Sequence, residues 1–156
     1  MTGDPKSHTV AAYNLHQRLL SMTTTQSLPT ISVAMATYNG CPYLEAQLNS
    51  IAVQTLLPDE IVIGDDQSTD ETKAVIRNFI RHHPSISVRF DLNSERVGSP
   101  RNFEKVVKRC QSDLVVFADQ DDIWLPDRLA HISRAFAENP QASYTFSNAL
   151  LMDSAD

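Results

Sequence analysis

Glycine is scarce in this chain, with 4 among 156 residues. No Gly-rich phosphate loop and no G-x-G-x-x-G can be found, so neither a Walker-type ATPase nor a dinucleotide-binding fingerprint is supported. Cysteine is scarcer still: Cys41 and Cys110 stand at no metal-ligand spacing, and nothing demands an oxidising compartment. No run of about 18 apolar residues occurs, so no membrane-spanning helix is expected. The N-terminus lacks the apolar stretch of a signal peptide and carries Asp4 and Lys6. Positive charge is in deficit, with a net charge of -6 and a pI near 5.2. That balance argues against nucleic acid or an anionic membrane as partner. There is no internal repeat.

What the chain does have is acid at the ends of apolar runs. Leu114-Val115-Val116-Phe117-Ala118 reads as a buried strand and runs into Asp119-Gln120-Asp121-Asp122. Carboxylates crowded together are costly unless a cation or water shares their charge. Hard oxygen ligands on a loop suit Mg2+ or Mn2+, ions that bind one or two carboxylates plus substrate phosphates. An isolated acid-x-acid turn is more often a surface turn or helix cap, and Asp122 or Asp127 suits capping. Context changes that weighting. Glu60-Ile61-Val62-Ile63-Gly64 leads to a second acidic pair, Asp65-Asp66, and Ser68 with Glu71 spells a capping box. Ile31-Ser32-Val33-Ala34-Met35-Ala36 runs into Thr37-Tyr38-Asn39-Gly40. If these strands are parallel, all these ends lie along one edge of one sheet, where open α/β sheets bind ligands.

The length bounds one domain, and 42% hydrophobic residues supply a core. Strands are expected at about 31–36, 60–64, 86–91, 114–118 and 143–147, and helices at about 41–54, 70–82, 99–110 and 126–138. The alternation predicts a three-layer α/β/α domain with a mostly parallel sheet and right-handed crossovers. Ser99-Pro100 suits a helix start, with serine as cap and proline following, and Pro126 plays the same part. Residues 1–29 read as a flexible leader with a weak helix over Val10–Met22, and residues 30–156 as the domain. His82-His83 suits a helix end, His131 a half-exposed packing role, and Cys110 and Trp124 the core.

Together the segments Ile31–Gly40, Gln54–Asp70, Gly98–Glu104 and Phe117–Leu129 resemble the nucleotide-sugar-binding half of family 2 glycosyltransferases, of the GT-A, nucleotide-diphospho-sugar transferase-like fold. The wording DQDDIWLPD is similar to the rhamnosyltransferase-like branch. The resemblance covers about residues 30 to 150 and implies roles for matched positions. Ala36 and Thr37 would floor the donor pocket, Tyr38 would lie near the base, and Asn39 would be a further donor-binding residue. Asp66 would accept the pyrimidine N–H, since a carboxylate only accepts. Asp119 and Gln120 would face the donor, and Asp121, with Asp119, would ligate the metal at the diphosphate. Arg101 and Arg96 are candidate phosphate or sugar donors.

The implied reaction transfers a sugar from a dTDP- or UDP-linked donor to a glycan or lipid-linked acceptor in polysaccharide biosynthesis, with inversion. The catalytic base is expected beyond residue 156, in an acceptor-binding half. A cytoplasmic location, peripheral at the inner face of the membrane, goes with this. A homo-oligomer through Leu150, Leu151 and Met152 is a further expectation. Two alternatives stand beside this reading. One is a non-catalytic nucleotide-sugar-binding module. The other is a receiver-type signalling domain, disfavoured because no Lys follows Lys108.

Overall fold

The computed structural model describes residues 28–151. The leader up to residue 27, with its expected helix, and Met152 lie outside the described residues. The elements alternate: β1 (Ile31–Thr37), α1 (Cys41–Ala52), β2 (Glu60–Asp65), α2 (Thr72–His82), β3 (Val88–Leu92), α3 (Ser99–Val107), β4 (Leu114–Ala118) and α4 (Arg128–Glu138). The strands form one sheet in the order β3-β2-β1-β4, and every pairing is parallel.

Burial explains why the central strands read as continuous apolar runs, since helices cover both faces of this sheet. Val33 and Met35 of β1 join Ile61 and Ile63 of β2 on one face, with Leu44, Leu48 and Ile51 of α1, Ile76 and Phe79 of α2, and Leu129 of α4. Trp124 is buried in the same cluster, as expected of it. Ala34 and Val62 point to the other face and meet Val106 of α3, with Cys110 half-buried alongside. So α1, α2 and α4 make one layer, α3 the other, and the three-layer expectation holds. Gly64 lets α3 sit close: a Cβ there would lie 2.6 Å from Asn102 Oδ1 and 2.7 Å from Val106 Cγ2. Asn102 Nδ2 donates to the Gly64 carbonyl at 2.7 Å.

The layer assignment also corrects one expectation. No strand forms at 143–147, and residues 143–151 are exposed irregular chain. A right-handed crossover from β4 outward to a parallel fifth strand needs its helix on the α3 face. Helix α4 packs on the opposite face with α1: Leu129 N–H donates to Gln54 Oε1 at 3.0 Å, and Gln54 Nε2 to the Leu125 carbonyl at 2.7 Å.

The helix starts also differ in detail. The Ser68/Glu71 capping box does not form, because Ser68 Oγ is turned to the Asp65 carboxylate and α2 begins only at Thr72. Asp70 Oδ1 instead accepts the Thr72 N–H at 3.0 Å. Gly98, not Ser99, is the residue before α3. Asp127 does precede α4, but its side chain makes no cap hydrogen bond; it lies 3.5 Å from His131 Nε2.

Candidate functional site

Parallel strands put their C-terminal ends at one edge, and there β1, β2 and β4 deliver Thr37, Asp65 and Ala118. The chain after β1 turns sharply, with Asn39 in the left-handed region at φ 49. Each of its successive amides is held by a side chain from elsewhere. Tyr38 N–H donates to Gln120 Oε1 at 2.9 Å, Asn39 N–H to Ser68 Oγ at 2.9 Å, Gly40 N–H to Thr72 Oγ1 at 2.9 Å and Cys41 N–H to Asp70 Oδ2 at 3.0 Å. Burial raises the Asp70 carboxyl, but its bonds to Thr72 and Cys41 more than offset this, and it lies below its usual range.

The two carboxylates that end β2 are both buried. Asp65 accepts Thr37 Oγ1–H at 3.0 Å and Ser68 N–H at 3.0 Å, so it ties β1 to the turn after β2. Asp66 reaches the other way. Its Oδ1 accepts Val97 N–H at 2.8 Å and Asn93 Nδ2 at 3.0 Å, and its Oδ2 accepts Gly98 N–H at 2.7 Å. Burial alone would raise its pKa. The Val97 and Gly98 amides, the Asn93 amide and the Arg96 charge outweigh that and hold it below the usual carboxylate range. Gly98 takes φ 83, a backbone that favours glycine.

These ends enclose a cleft of about 250 Å³ lined by Ala36 and Thr37 of β1 with Tyr38 just after it, Asp66 just after β2, and Asp119, Gln120 and Asp121 in the loop after β4. The structure thus brings most of the sequence-named residues together. Asn39 and Arg101 are not among the lining residues. The Asn39 side chain accepts Thr69 N–H at 2.9 Å, and Arg101 is exposed on α3, where its charge acts on Glu104. Arg96 does line the cleft, with its guanidinium 3.8 Å from the Tyr38 ring centroid. Gly98, Asn102 and Phe103 also line it, and the sequence reading did not single them out.

Asp119 is the electrostatically tense member. Desolvation, and then the Asp122 and Asp121 charges, push its carboxyl above the usual range. No group of three or more metal-ligating side chains occurs among the described residues. A pair of carboxylates suits Mg2+ or Mn2+ only with phosphate oxygens and water completing the shell, and the exposed Asp119 and Asp121 are the candidate pair among the lining residues. A larger hollow of about 1270 Å³ lies along β4 and is lined by residues 143–149 and α4; the converging strand ends do not open into it.

Residues 32–149 match the family model described as glycosyl transferase family 2. The chain belongs to that family. Among its relatives is a dTDP-rhamnosyl transferase, RfbG of Shigella flexneri, 33% identical over 132 residues. That match spans 78% of this chain and 46% of the relative. The putative teichuronic acid biosynthesis glycosyltransferase TuaG of Bacillus subtilis is 32% identical over 101 residues, 65% of this chain and 39% of that protein.

Solved structures agree on the fold. The mannosyltransferase PcManGT of Pyrobaculum calidifontis, in complex with GDP-Man and Mn2+, superposes with a TM-score of 0.68 at 25% identity, covering 85% of this chain and 42% of that one. S. aureus TarS 1-349 in complex with UDP gives 0.64 at 26% identity, covering 71% and 33%. The family 2 chain therefore has the three-layer GT-A architecture and spans less than half the length of these relatives. No helix among its described residues is long and apolar enough to cross a membrane.

Proposed function

We propose that this chain is the donor-binding part of a glycosyltransferase that takes a nucleoside-diphosphate sugar. The observation that carries the reading is the cleft at the C-terminal sheet edge, whose lining combines Tyr38 and Asp66 with Asp119 and Asp121. Tyr38, roofed by Arg96, offers an aromatic wall for a base. Asp66 already accepts N–H groups from Val97, Asn93 and Gly98. Each carboxylate oxygen has two acceptor directions, so Oδ2 keeps one free for the single N3–H of uracil or thymine. UDP- and dTDP-linked donors fit that count, and the resemblance to a dTDP-rhamnosyl transferase supports dTDP-rhamnose over other sugars.

Asp119 and Asp121 would hold Mg2+ or Mn2+ against the diphosphate. With such an ion bound, these two residues would hold a Lewis acid able to neutralise the leaving diphosphate. A chain of net charge -6 has reason to need it, since acidic clefts repel a diphosphate. Inverting transfer needs a carboxylate base within hydrogen-bond reach of the acceptor hydroxyl. The resemblance to family 2 glycosyltransferases implies that this base would belong to an acceptor-binding half, and no cleft carboxylate is assigned to that role. The resemblance implies that the acceptor would be a glycan or a lipid-linked molecule.

Calorimetry with UDP and dTDP tests the reading. Affinity should rise when Mn2+ is added, and Asp121→Ala should abolish the rise. Asp127→Ala should keep it, because Asp127 lies outside the cleft beside His131. Equal binding with a chelator present would remove the metal from the proposal. No binding of either nucleotide would remove the donor site. Transfer to a defined acceptor by the 156-residue chain alone would show that the visible half or a second copy supplies the base.

A further inference from the structure

We propose that Gln120 is a positioning residue that locks the base-side wall of the cleft to its acidic side; the inference rests on the donor-site reading above. The β1–β4 ladder ends at the pair Met35↔Ala118, and beyond it the strands part. Gln120 bridges the gap with its side chain. Its Oε1 accepts the Tyr38 N–H at 2.9 Å and its Nε2 donates to the Tyr38 carbonyl at 3.2 Å. A main-chain N–H only donates and a carbonyl only accepts, so the pair of bonds fixes which way the amide points. The side chain imitates one more rung of the sheet.

Location gives this rung its consequence. The neighbouring amides of Asn39, Gly40 and Cys41 are held by Ser68, Thr72 and Asp70, from the β2–α2 turn and the first residue of α2. Only Tyr38 is held from the β4 side. Gln120 lies between Asp119 and Asp121 in sequence, so a single side chain ties the Tyr38 ring position to the carboxylate positions. A donor that spans both must find them at a set separation. Losing the tie should cost a ligand that uses both ends.

Gly40 supplies an independent handle on the same contact. Its backbone sits at φ -96, which any residue adopts, so alanine is not strained there. Yet a Cβ on Gly40 would come within 2.6 Å of Gln120 Cδ and 3.2 Å of Nε2. Gly40→Ala should therefore act by displacing the Gln120 amide. In a Gln120→Ala background the obstacle is gone, and the same substitution should be harmless.

The experiment has two arms on the 156-residue chain. In the first, amide exchange followed by 15N NMR without ligand should show faster exchange at Tyr38 in Gln120→Ala and in Gly40→Ala, while the Asn39, Gly40 and Cys41 amides keep their protection. In the second, UDP or dTDP binding with Mn2+ should weaken by about tenfold in each single variant, the scale of a lost hydrogen-bond pair and a small misplacement. The double variant should be no weaker than Gln120→Ala alone. Unchanged Tyr38 exchange in Gln120→Ala would overturn the clamp. Additive losses in the double variant would overturn it too, as would unchanged nucleotide affinity with Tyr38 released. If the wild-type chain binds neither nucleotide, the donor-site reading falls and takes the positioning role with it, while the exchange arm still reports whether the clamp exists.

Discussion

A carboxylate that accepts N–H groups from Val97, Gly98 and Asn93 is first a structural anchor, and Asp66 is one. Asp66→Asn puts an NH2 group where an N–H now donates, so at least one charged hydrogen bond is lost. The expected cost is about 1–3 kcal/mol of stability at neutral pH. The folded pKa is depressed, so this contribution is present above the ordinary carboxylate range and is lost as pH falls through the depressed value. Urea unfolding of both proteins at several pH values should show the gap closing in acid; a constant gap would assign the effect to shape rather than charge. The sequence located this residue, because an acidic pair ending an apolar strand is a strong signal. It did not reveal the partners, since Val97 and Gly98 are 31 and 32 residues away and offer main-chain atoms that carry no sequence signature. Gln120 was equally opaque: its side chain turns to the backbone of Tyr38, a contact 82 positions away that no local pattern encodes.

Elements were more legible than side-chain partners, because apolar periodicity is set by the layer a segment packs against. The runs at 31–36, 60–64 and 114–118 became β1, β2 and β4 within a residue or so. The segment 143–147 alternates aromatic and polar residues, a strand-like pattern of a different kind, but forms no strand, because the handedness that would place it depends on which face α4 covers. Helix starts failed where a side chain had a better partner, as Ser68 does in Asp65. The close approach of α3 to β2 is testable through Gly64. Alanine there would drive a Cβ to 2.7 Å from Val106 Cγ2 and push against the Asn102 amide that bonds the Gly64 carbonyl. Overpacking of this kind costs about 1–3 kcal/mol, so Gly64→Ala should lower the denaturant midpoint. An unchanged midpoint would mean that α3 shifts freely over β1 and β2. Asn102 also lines the cleft, so Gly64→Ala should weaken nucleotide binding as well.

At the scale of the whole molecule, one side of the sheet is finished differently from the other. β3 is a short edge strand that is largely polar or half-exposed toward its end. β4 is the opposite edge, and Phe117 on it is 57% exposed. Tyr144 and Phe146 line the same hollow, with Phe146 86% exposed, and later in the chain Leu150 and Leu151 are 84% and 100% exposed. An open strand edge beside exposed apolar side chains is a template for pairing with another chain. The 156-residue protein is therefore expected to self-associate through this side, with the β4 edge and residues 144–151 buried between copies. Sedimentation velocity over a range of concentrations should show a rising weight-average mass. Phe146→Ser with Leu150→Ser should suppress it without loss of stability, since neither side chain contributes to the core. Nucleotide affinity should be untouched, because the cleft opens at the strand ends and not along the β4 edge. A wild-type protein that stays monomeric throughout, or association that persists in the double variant, would place the contact elsewhere.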